Sequence, residues 1–210
     1  RAPTQTTDAV AGYAQDFPET DDLIETSGWD VSGNALTLSA WFKHTGGTID
    51  DRFISKANGT PNANTWWQLG LSGGTTLRFR LMTGGVSVDH SASTITDNVW
   101  TYATGVYDGT KMDLYRDGTL VGSWAKTGNI DVDTSVLVAL GNNPAAVGAR
   151  SLDGLLDEPR VSQAARSPDW VVTDYQTQVA AAQGAPADPD TFDNSKFIKC
   201  YGCFKDFDWC

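Results

Sequence analysis

The sequence predicts an all-β fold made of short antiparallel strands joined by tight turns. The clearest segment is residues 100–118, WTYATGVYDGTKMDLYRDG, in which side chains alternate along two strands and Asp108-Gly109 supplies the turn. A second pair, Asp117-Gly118, turns the chain again. The composition agrees, because 21 glycines and many Thr, Ser, Asn and Asp residues suit frequent turns.

Length and charge narrow the class of protein. The chain has 210 residues, of which 40% are hydrophobic, so it can bury the core of one domain and still carry an extension. Its formal net charge of −11 repels phosphate backbones and anionic lipids, so we expect no nucleic-acid partner. No apolar run approaches the ~20 residues of a membrane span. Because the chain starts at Arg1 without Met and shows no signal peptide, we expect the mature form of an exported protein, extracellular or at the cell surface.

Further strands are predicted along the whole chain. A first pair, near residues 10–17 and 23–25, flanks an acidic turn, and residues 35–43, ALTLSAWFK, alternate most cleanly. The other predicted strands are residues 52–56, 66–71, 76–82, 86–90, 93–96, 119–124, 135–141 and 151–162.

The strand at residues 76–82 carries two arginines on its polar side. Its apolar residues face the core, so Arg78 and Arg80 are predicted to point outward. We expect both side chains to be solvated, with contact to an acidic ligand as the alternative.

One helix is expected near residues 168–178. Ser167 suits the N-cap, Pro168 the first helical position, and Asp169 the first turn, where the helix dipole favours a negative charge. Three apolar residues at helical spacing would pack on the sheets: Val171, Tyr175 and Val179.

The order of these motifs resembles that of the laminin-G-like, concanavalin A-like jelly rolls of secreted bacterial and archaeal proteins. The matching pieces are Phe17 to Ile24, residues 38–43, Tyr107-Asp108-Gly109, Leu114 to Gly118, Leu140-Gly141, Leu152 to Val161 and Asp169-Trp170-Val171. The resemblance covers residues 10–178 and implies a two-sheet antiparallel jelly-roll sandwich, with a domain at residues 1–179. Pro159 departs from the family pattern, and because proline lacks a ladder donor we expect a sheet edge or a bulge there.

The same resemblance implies a calcium ion on one side of the sandwich. In similar domains an aspartate of the late strand holds the ion together with oxygens of the first strand. The corresponding residues here are Asp157, with Asp16 or Asp21 as partner. The alternative is that Asp157 and Glu158 pair only with Arg160 or water.

Catalysis is not favoured, although the same fold is shared by glycoside hydrolases and polysaccharide lyases. A retaining glycosidase needs two carboxylates about 5 to 5.5 Å apart. Asp131 and Asp133 have a suitable spacing but lie in a polar loop, and the two histidines, His44 and His90, are far apart in sequence. We therefore predict a protein that is not an enzyme.

Glycan binding is one alternative for the function. Exposed tryptophans such as Trp41, Trp66 or Trp67 would stack on sugar rings, and the loops 57–65 and 142–150 supply polar side chains, including Asn62 and Asn143. The competing explanation is that most tryptophans of a sandwich belong to its core and that Asn-rich loops only form turns.

The last part of the chain predicts a different role. Residues 180–193 read as an Ala- and Pro-rich linker, and residues 194–210 form a tail with three cysteines and five aromatic residues. The residues expected to make inter-subunit contacts or disulfides are Cys200, Cys203, Cys210, Phe207 and Trp209.

These observations favour an exported structural or adhesive subunit. Its jelly roll would be the body, and its tail would join copies of the chain into a homo-oligomer or polymer, as in a filament or surface layer. A calcium-dependent lectin is the first alternative, and a relative of glycoside hydrolases or lyases is the second.

Overall fold

The computed structural model describes residues 1–26, 29–47, 50–59 and 64–183. Within these ranges the chain forms two antiparallel sheets, stacked face to face, and one helix. This confirms the predicted all-β jelly-roll sandwich with a short helix. No helix in the described ranges is long and apolar enough to span a membrane.

The two sheets contain seven and six strands. In spatial order, the seven-stranded sheet consists of β1 (Thr4–Thr6), β2 (Ala14–Phe17), β13 (Gly154–Ser162), β4 (Leu36–His44), β9 (Thr101–Tyr107), β10 (Lys111–Arg116) and β11 (Thr119–Ala125). The six-stranded sheet consists of β3 (Ile24–Thr26), β12 (Val138–Leu140), β5 (Arg52–Ala57), β6 (Thr65–Ser72), β7 (Thr76–Thr83) and β8 (Val86–Thr94). The helix is α1 (Pro168–Ala182).

The hairpin at residues 100–118 folds as predicted. β9 and β10 pair with Tyr107 opposite Met112, and the carboxylate of Asp108 accepts hydrogen bonds from the backbone N–H groups of the turn. In the next turn Asp117 and Gly118 have φ values of 51° and 76°. These left-handed values are what a two-residue hairpin turn with the correct twist requires.

Some predicted boundaries differ from the structure. β2 begins at Ala14 rather than at residue 10, because the N–H groups of Val10 and Ala11 are bonded to a side chain instead of a strand. Residues 86–94 form one continuous strand, where two were predicted. The helix continues to Ala182, so that the first three residues of the predicted linker are helical, in keeping with the helix propensity of alanine.

The strand that contains Pro159 is bulged, as predicted. β13 pairs with β4 on both sides of a register shift between Asp157 and Arg160. Within this bulge Glu158 takes a left-handed φ of 47°. Proline therefore stands where the ladder is already interrupted, and its missing N–H costs no strand pairing.

The helix covers the outer face of the seven-stranded sheet. Its start is as predicted, since the Ser167 side chain accepts a hydrogen bond from the Trp170 N–H at 3.1 Å. Val171 is fully buried against β9 and β10, and the ring of Tyr175 stacks on that of Trp41 at 5.6 Å. This outer face is therefore occupied by the chain itself.

A buried polar network fixes the helix in place. Asp174 accepts hydrogen bonds from the hydroxyl of Tyr102, from Arg160 at 2.8 Å and from Gln178 at 2.9 Å. The indole N–H of Trp41 donates to Gln178 at 2.7 Å. Because each bond specifies the direction of its partner, the network sets the rotation of the helix on the sheet.

Gly105 of β9 faces the ring of Phe79 of β7 across the interface between the two sheets. A Cβ atom at Gly105 would lie 2.8 Å from the ring of Phe79, which is closer than any van der Waals contact. Glycine is therefore required here by packing rather than by backbone conformation.

We expect Gly105→Ala to lower the free energy of unfolding by about 1–3 kcal/mol, because the added methyl overpacks the core. Chemical denaturation of the two proteins measures the difference. The double variant Gly105→Ala/Phe79→Leu should lose less free energy of unfolding than the two single variants together, because the smaller side chain makes room for the methyl. A Gly105→Ala protein as stable as the wild type would contradict the assignment.

Candidate functional site

The outer face of the six-stranded sheet carries two rows of polar residues that cross the strands. Strand register places Ser55, Gln68, Arg80 and Asp89 in one row and Arg52, Gly70, Arg78 and Ser91 in the next. The inner face of the same strands supplies core residues such as Leu69 and Phe79. Since side chains alternate along a strand, the two rows must face away from the core.

The arginines of these rows are buried rather than solvated. Arg52, Arg78 and Arg80 are 2%, 7% and 3% exposed, so the prediction of solvated arginines on this face is wrong. The rim is open, because Ser91 is exposed and Asp89 is half-exposed. The face is thus polar and largely buried at its centre, with accessible edges.

Two aspartates neutralise part of the positive charge. Arg78 is 3.0 Å from Asp50 and 3.3 Å from Asp89, and Arg80 is 3.3 Å from the same Asp89 oxygen. Arg150 approaches Asp50 at 3.6 Å. Three guanidinium groups therefore share two carboxylates.

Arg52 stands apart from this arrangement. It has no ion pair among the described residues, and its buried Nε and Nη1 atoms have no hydrogen-bond partner there. Burial, followed by repulsion from Arg80, Arg150 and Arg78, lowers the pKa of Arg52 to about 9. The protein thus holds a cation in an environment that disfavours its charge.

An aromatic side chain lies beside this face, near the start of β6. Trp66 stands at a register shift two residues before Gln68, and its ring is half-buried and packs in part against the core. Trp67 points into the core and is fully buried. Trp41 is only 4% exposed beneath the helix, so it is not the exposed tryptophan that was predicted.

The predicted asparagines do not form a surface site. Asn143 is completely buried, where its amide donates to the Gly59 carbonyl at 3.1 Å and accepts from the Ala145 N–H at 3.3 Å. It organises the loop after β12 instead of facing a ligand, and the prediction of a binding side chain is wrong in that respect. Asn62 lies outside the described residues.

Two clefts lie elsewhere on the molecule. One, of about 130 Å³, is bordered by small and apolar groups from residues 57–58, 135–137 and 145. The other, of about 310 Å³, contains Arg116, whose guanidinium already bonds to Ser93, to the Thr94 carbonyl and to Asp117. Neither offers the unused hydrogen-bonding groups of the six-stranded face.

The predicted calcium ligands are not brought together. Both oxygens of Asp157 accept backbone hydrogen bonds, from Val10 and Ala11 at one oxygen and from Glu158 at the other, each at 2.8 Å. Burial raises the pKa of Asp157, against the opposing effect of these bonds. Asp16 lies on β2 opposite Leu155 of β13, and Asp21 is exposed in its turn.

No group of three or more His, Cys, Asp or Glu residues in the described part of the chain is arranged to hold a metal ion. The three N–H groups at Asp157 also occupy most of the lone pairs that a cation would use. Calcium therefore stays a prediction from resemblance, and these three aspartates do not fit it.

The carboxylates considered for catalysis serve structural roles. The two oxygens of Asp131 accept the N–H groups of Gly84 and Gly85 at 2.7 and 2.6 Å. Asp133 accepts the N–H of Ser135 at 3.0 Å. These carboxylates hold turns in place.

His44 is buried between two carboxylates. Its Nε2 lies 2.8 Å from Asp51 and its Nδ1 lies 2.7 Å from Asp97. Burial lowers the pKa of His44, but the two neighbouring carboxylates of Asp51 and Asp97 outweigh it, so that the pKa is raised overall. The imidazole is thus engaged at both nitrogens within the fold.

The tail residues lie outside the described part of the chain. Nothing in the structure bears on Cys200, Cys203, Cys210, Phe207 or Trp209, and the inter-subunit role of the tail stays a prediction.

Sequence reasoning missed Arg52 and the convergence of the arginines. The Arg-x-Arg pattern of β7 does reveal which face the two arginines share. Only strand register brings Arg52 of β5 beside them, and register between distant strands is not readable from one sequence.

Comparison with known proteins agrees with this architecture. The family model described as the concanavalin A-like lectin/glucanases superfamily matches residues 18–172. No curated protein matches the chain in sequence.

Several solved structures share the fold. The binding domain of Paraclostridial Mosquitocidal Protein 1 has a TM-score of 0.63 and 17% identity, with 84% of this chain covered and 47% of that one, so this chain spans about half of its length. Domain 4 of AbnA, an extracellular GH43 arabinanase from Geobacillus stearothermophilus, was solved in complex with arabinotriose. It has a TM-score of 0.62 and 21% identity, with 82% of this chain and 81% of that one covered. The CBM40 of the Ruminococcus gnavus IT-sialidase, bound to α2,3-sialyllactose, has a TM-score of 0.58 and 16% identity, with 72% of this chain and 98% of that one covered.

The raised pKa of His44 predicts a pH-dependent stability. Because the fold favours the imidazolium, the stabilisation is fully present below the ordinary value of 6.5 and is lost as pH rises through the raised pKa. We expect the melting temperature of the wild type to fall with pH in this range, and that of His44→Gln to fall less. Thermal melts at closely spaced pH values from 6 upward measure both slopes; equal slopes would contradict the assignment.

The contacts of Asp157 predict a structural role that needs no metal. Asp157→Asn should lower the free energy of unfolding by about 1–3 kcal/mol, because charge-assisted bonds to the N–H groups of Val10 and Ala11 are weakened. A chelator such as EDTA should leave the melting temperature of the wild type unchanged. A clear drop with EDTA, restored by calcium, would instead support a calcium site.

Proposed function

Because the chain belongs to the concanavalin A-like lectin/glucanases superfamily, we propose that it is a non-catalytic glycan-binding module of an exported protein. The ligand would bind on the outer face of the six-stranded sheet. The observation that carries this proposal is the combination, at that one face, of the half-buried Trp66 with the unsatisfied polar atoms of Gln68 and Arg52.

The chemistry of this face suits a sugar. Pyranose rings present apolar C–H faces, which pack on aromatic rings, and hydroxyls, which need both donors and acceptors. Both amide atoms of Gln68 are buried without a hydrogen-bond partner in the described ranges, so this side chain offers one acceptor and one donor site. Buried polar groups without partners are costly, and a ligand that satisfies them recovers that cost.

The relation to other proteins supports binding rather than catalysis. Two of the structurally similar domains are bound to an oligosaccharide, arabinotriose in one case and sialyllactose in the other. The similar toxin domain is likewise described as a binding domain. An exported location is part of the proposal and is consistent with the extracellular arabinanase among these proteins.

This proposal reverses the order of preference drawn from the sequence. The structural or adhesive subunit depended on residues 194–210, which lie outside the described ranges, and no contact of the described residues favours it. The structural or adhesive role stays a prediction, and it is compatible with a jelly roll that binds glycans.

A glycan array followed by titration calorimetry tests the proposal. We expect the wild type to bind at least one class of oligosaccharide and Trp66→Ala to bind it about tenfold more weakly, a loss of ~1.4 kcal/mol. Trp66→Phe should recover part of the affinity, because it restores an aromatic surface.

The matched control is Trp170→Ala, which removes a half-buried tryptophan from the helix on the opposite side of the molecule. Its affinity should equal that of the wild type. Absence of binding to every glycan, or equal losses in the two alanine variants, would contradict the proposal.

A further inference from the structure

The outer face of the six-stranded sheet concentrates positive charge on an acidic protein. Arg52, Arg78, Arg80 and Arg150 are opposed by Asp50 and Asp89 alone among the described residues within ion-pair distance. The local excess is two positive charges, obtained by subtracting two carboxylates from four guanidinium groups, on a chain whose formal net charge is −11. Cations gathered on one face of such a chain indicate an anionic partner.

Arg52 makes the strongest case for a missing partner. An ion buried without a counter-charge is among the most unfavourable groups in a folded protein, and most buried arginines are paired. Here the Nε and Nη1 atoms have no hydrogen-bond partner among the described residues, and the charged neighbours are three further arginines and, with a weaker effect, Asp50. Asp50 is the described carboxylate that acts on this charge, and it is already shared between Arg78 and Arg150.

The neighbours of Arg52 leave the positive charge of this face only partly neutralised. Arg78 and Arg80 converge on a single oxygen, Oδ2 of Asp89, and Asp50 is shared between Arg78 and Arg150. Each carboxylate is thus divided between two cations. An incoming carboxylate would relieve the repulsion among them and accept a bidentate pair of hydrogen bonds, for which the planar guanidinium is suited.

We propose that this face selects an acidic sugar, whose carboxylate pairs with Arg52 while the adjacent Gln68 binds a hydroxyl and Trp66 packs on the ring. The inference rests on the proposed glycan-binding function and names the class of sugar. The scale is suitable, because Gln68 and Gly70 follow one another on one face of β6 about 7 Å apart, and Gly70 is the residue opposite Arg52. Trp66 precedes Gln68 by two residues on the same strand.

Two sources of the carboxylate share this chemistry: the uronic acids of polysaccharides and terminal sialic acids. The experiment therefore uses trigalacturonate and α2,3-sialyllactose as acidic probes. Their neutral counterparts are the methyl ester of trigalacturonate and lactose. Inorganic sulfate serves as a non-sugar anion.

Titration calorimetry on the full chain should show at least one acidic probe binding roughly tenfold or more tightly than its neutral counterpart. Arg52→Met should abolish this preference, and Arg52→Lys should reduce it, because an ammonium keeps the charge but not the planar pair of donors. Arg166→Gln is the control, since it removes the same charge from the helix side of the molecule, and its preference should be unchanged.

Stability distinguishes a binding role from a structural one. Because Arg52 has no partner and is surrounded by cations, Arg52→Met should melt at the wild-type temperature or higher. A lower melting temperature together with an unchanged preference for the acidic probe would overturn the proposal. If Arg52→Met does not fold, the affinities of the wild type for trigalacturonate and for its methyl ester decide whether the face prefers an acidic sugar.

The outcomes separate the two proposals. Preference for trigalacturonate or for sialyllactose supports the inference and identifies the source. Equal binding of acidic and neutral probes, or binding of sulfate in place of either acidic sugar, overturns the inference. Equal binding leaves glycan binding intact, whereas failure to bind any glycan overturns both.

Discussion

The docking of α1 on the seven-stranded sheet determines where this molecule can bind anything. Trp41, Tyr102 and Tyr175 stack into one aromatic layer beneath the helix, and Asp174 ties that layer to Arg160 of β13. The contact covers the outer face of one sheet with the chain's own residues. Because the inner faces of both sheets are sealed in the core, the outer face of the six-stranded sheet is the sheet face that the helix does not cover, and it is accessible at its rim.

The sequence predicts those features that depend on neighbours in the chain. Asp-Gly turns, the alternation of β9 and the Ser167-Pro168 helix start are local, and all three are found in the structure. Exposure is different, because it depends on which distant segment covers a residue. Trp41 alternates like a surface tryptophan but lies under a helix that begins 127 residues later, a separation counted from Trp41 to Pro168. Arg78 and Arg80 were assigned to the correct face and the wrong environment for the same reason.

The polar rows show how function and stability compete on one sheet. Replacing these arginines by apolar residues would remove both the desolvation of the cations and their mutual repulsion. A sheet selected only for stability has no reason to retain Arg52 without a counter-ion, whereas a binding face gains specificity from donors that are held in place before the ligand arrives. The buried state of the arginines also fixes their rotamers, which lowers the entropy lost on binding.

The hydrogen bonds from Val10 and Ala11 to Asp157 have a consequence for the order of assembly. They span 147 and 146 residues of sequence, and β2, at the edge of the same region, pairs with β1 and β13 alone among the described strands. During synthesis the first two strands therefore leave the ribosome long before the strand that holds them exists. They must remain unpaired with the main sheet until β13 emerges. The pairing of this edge is therefore a late, non-local step of folding, and β1 and β2 are exposed to competing contacts until it occurs.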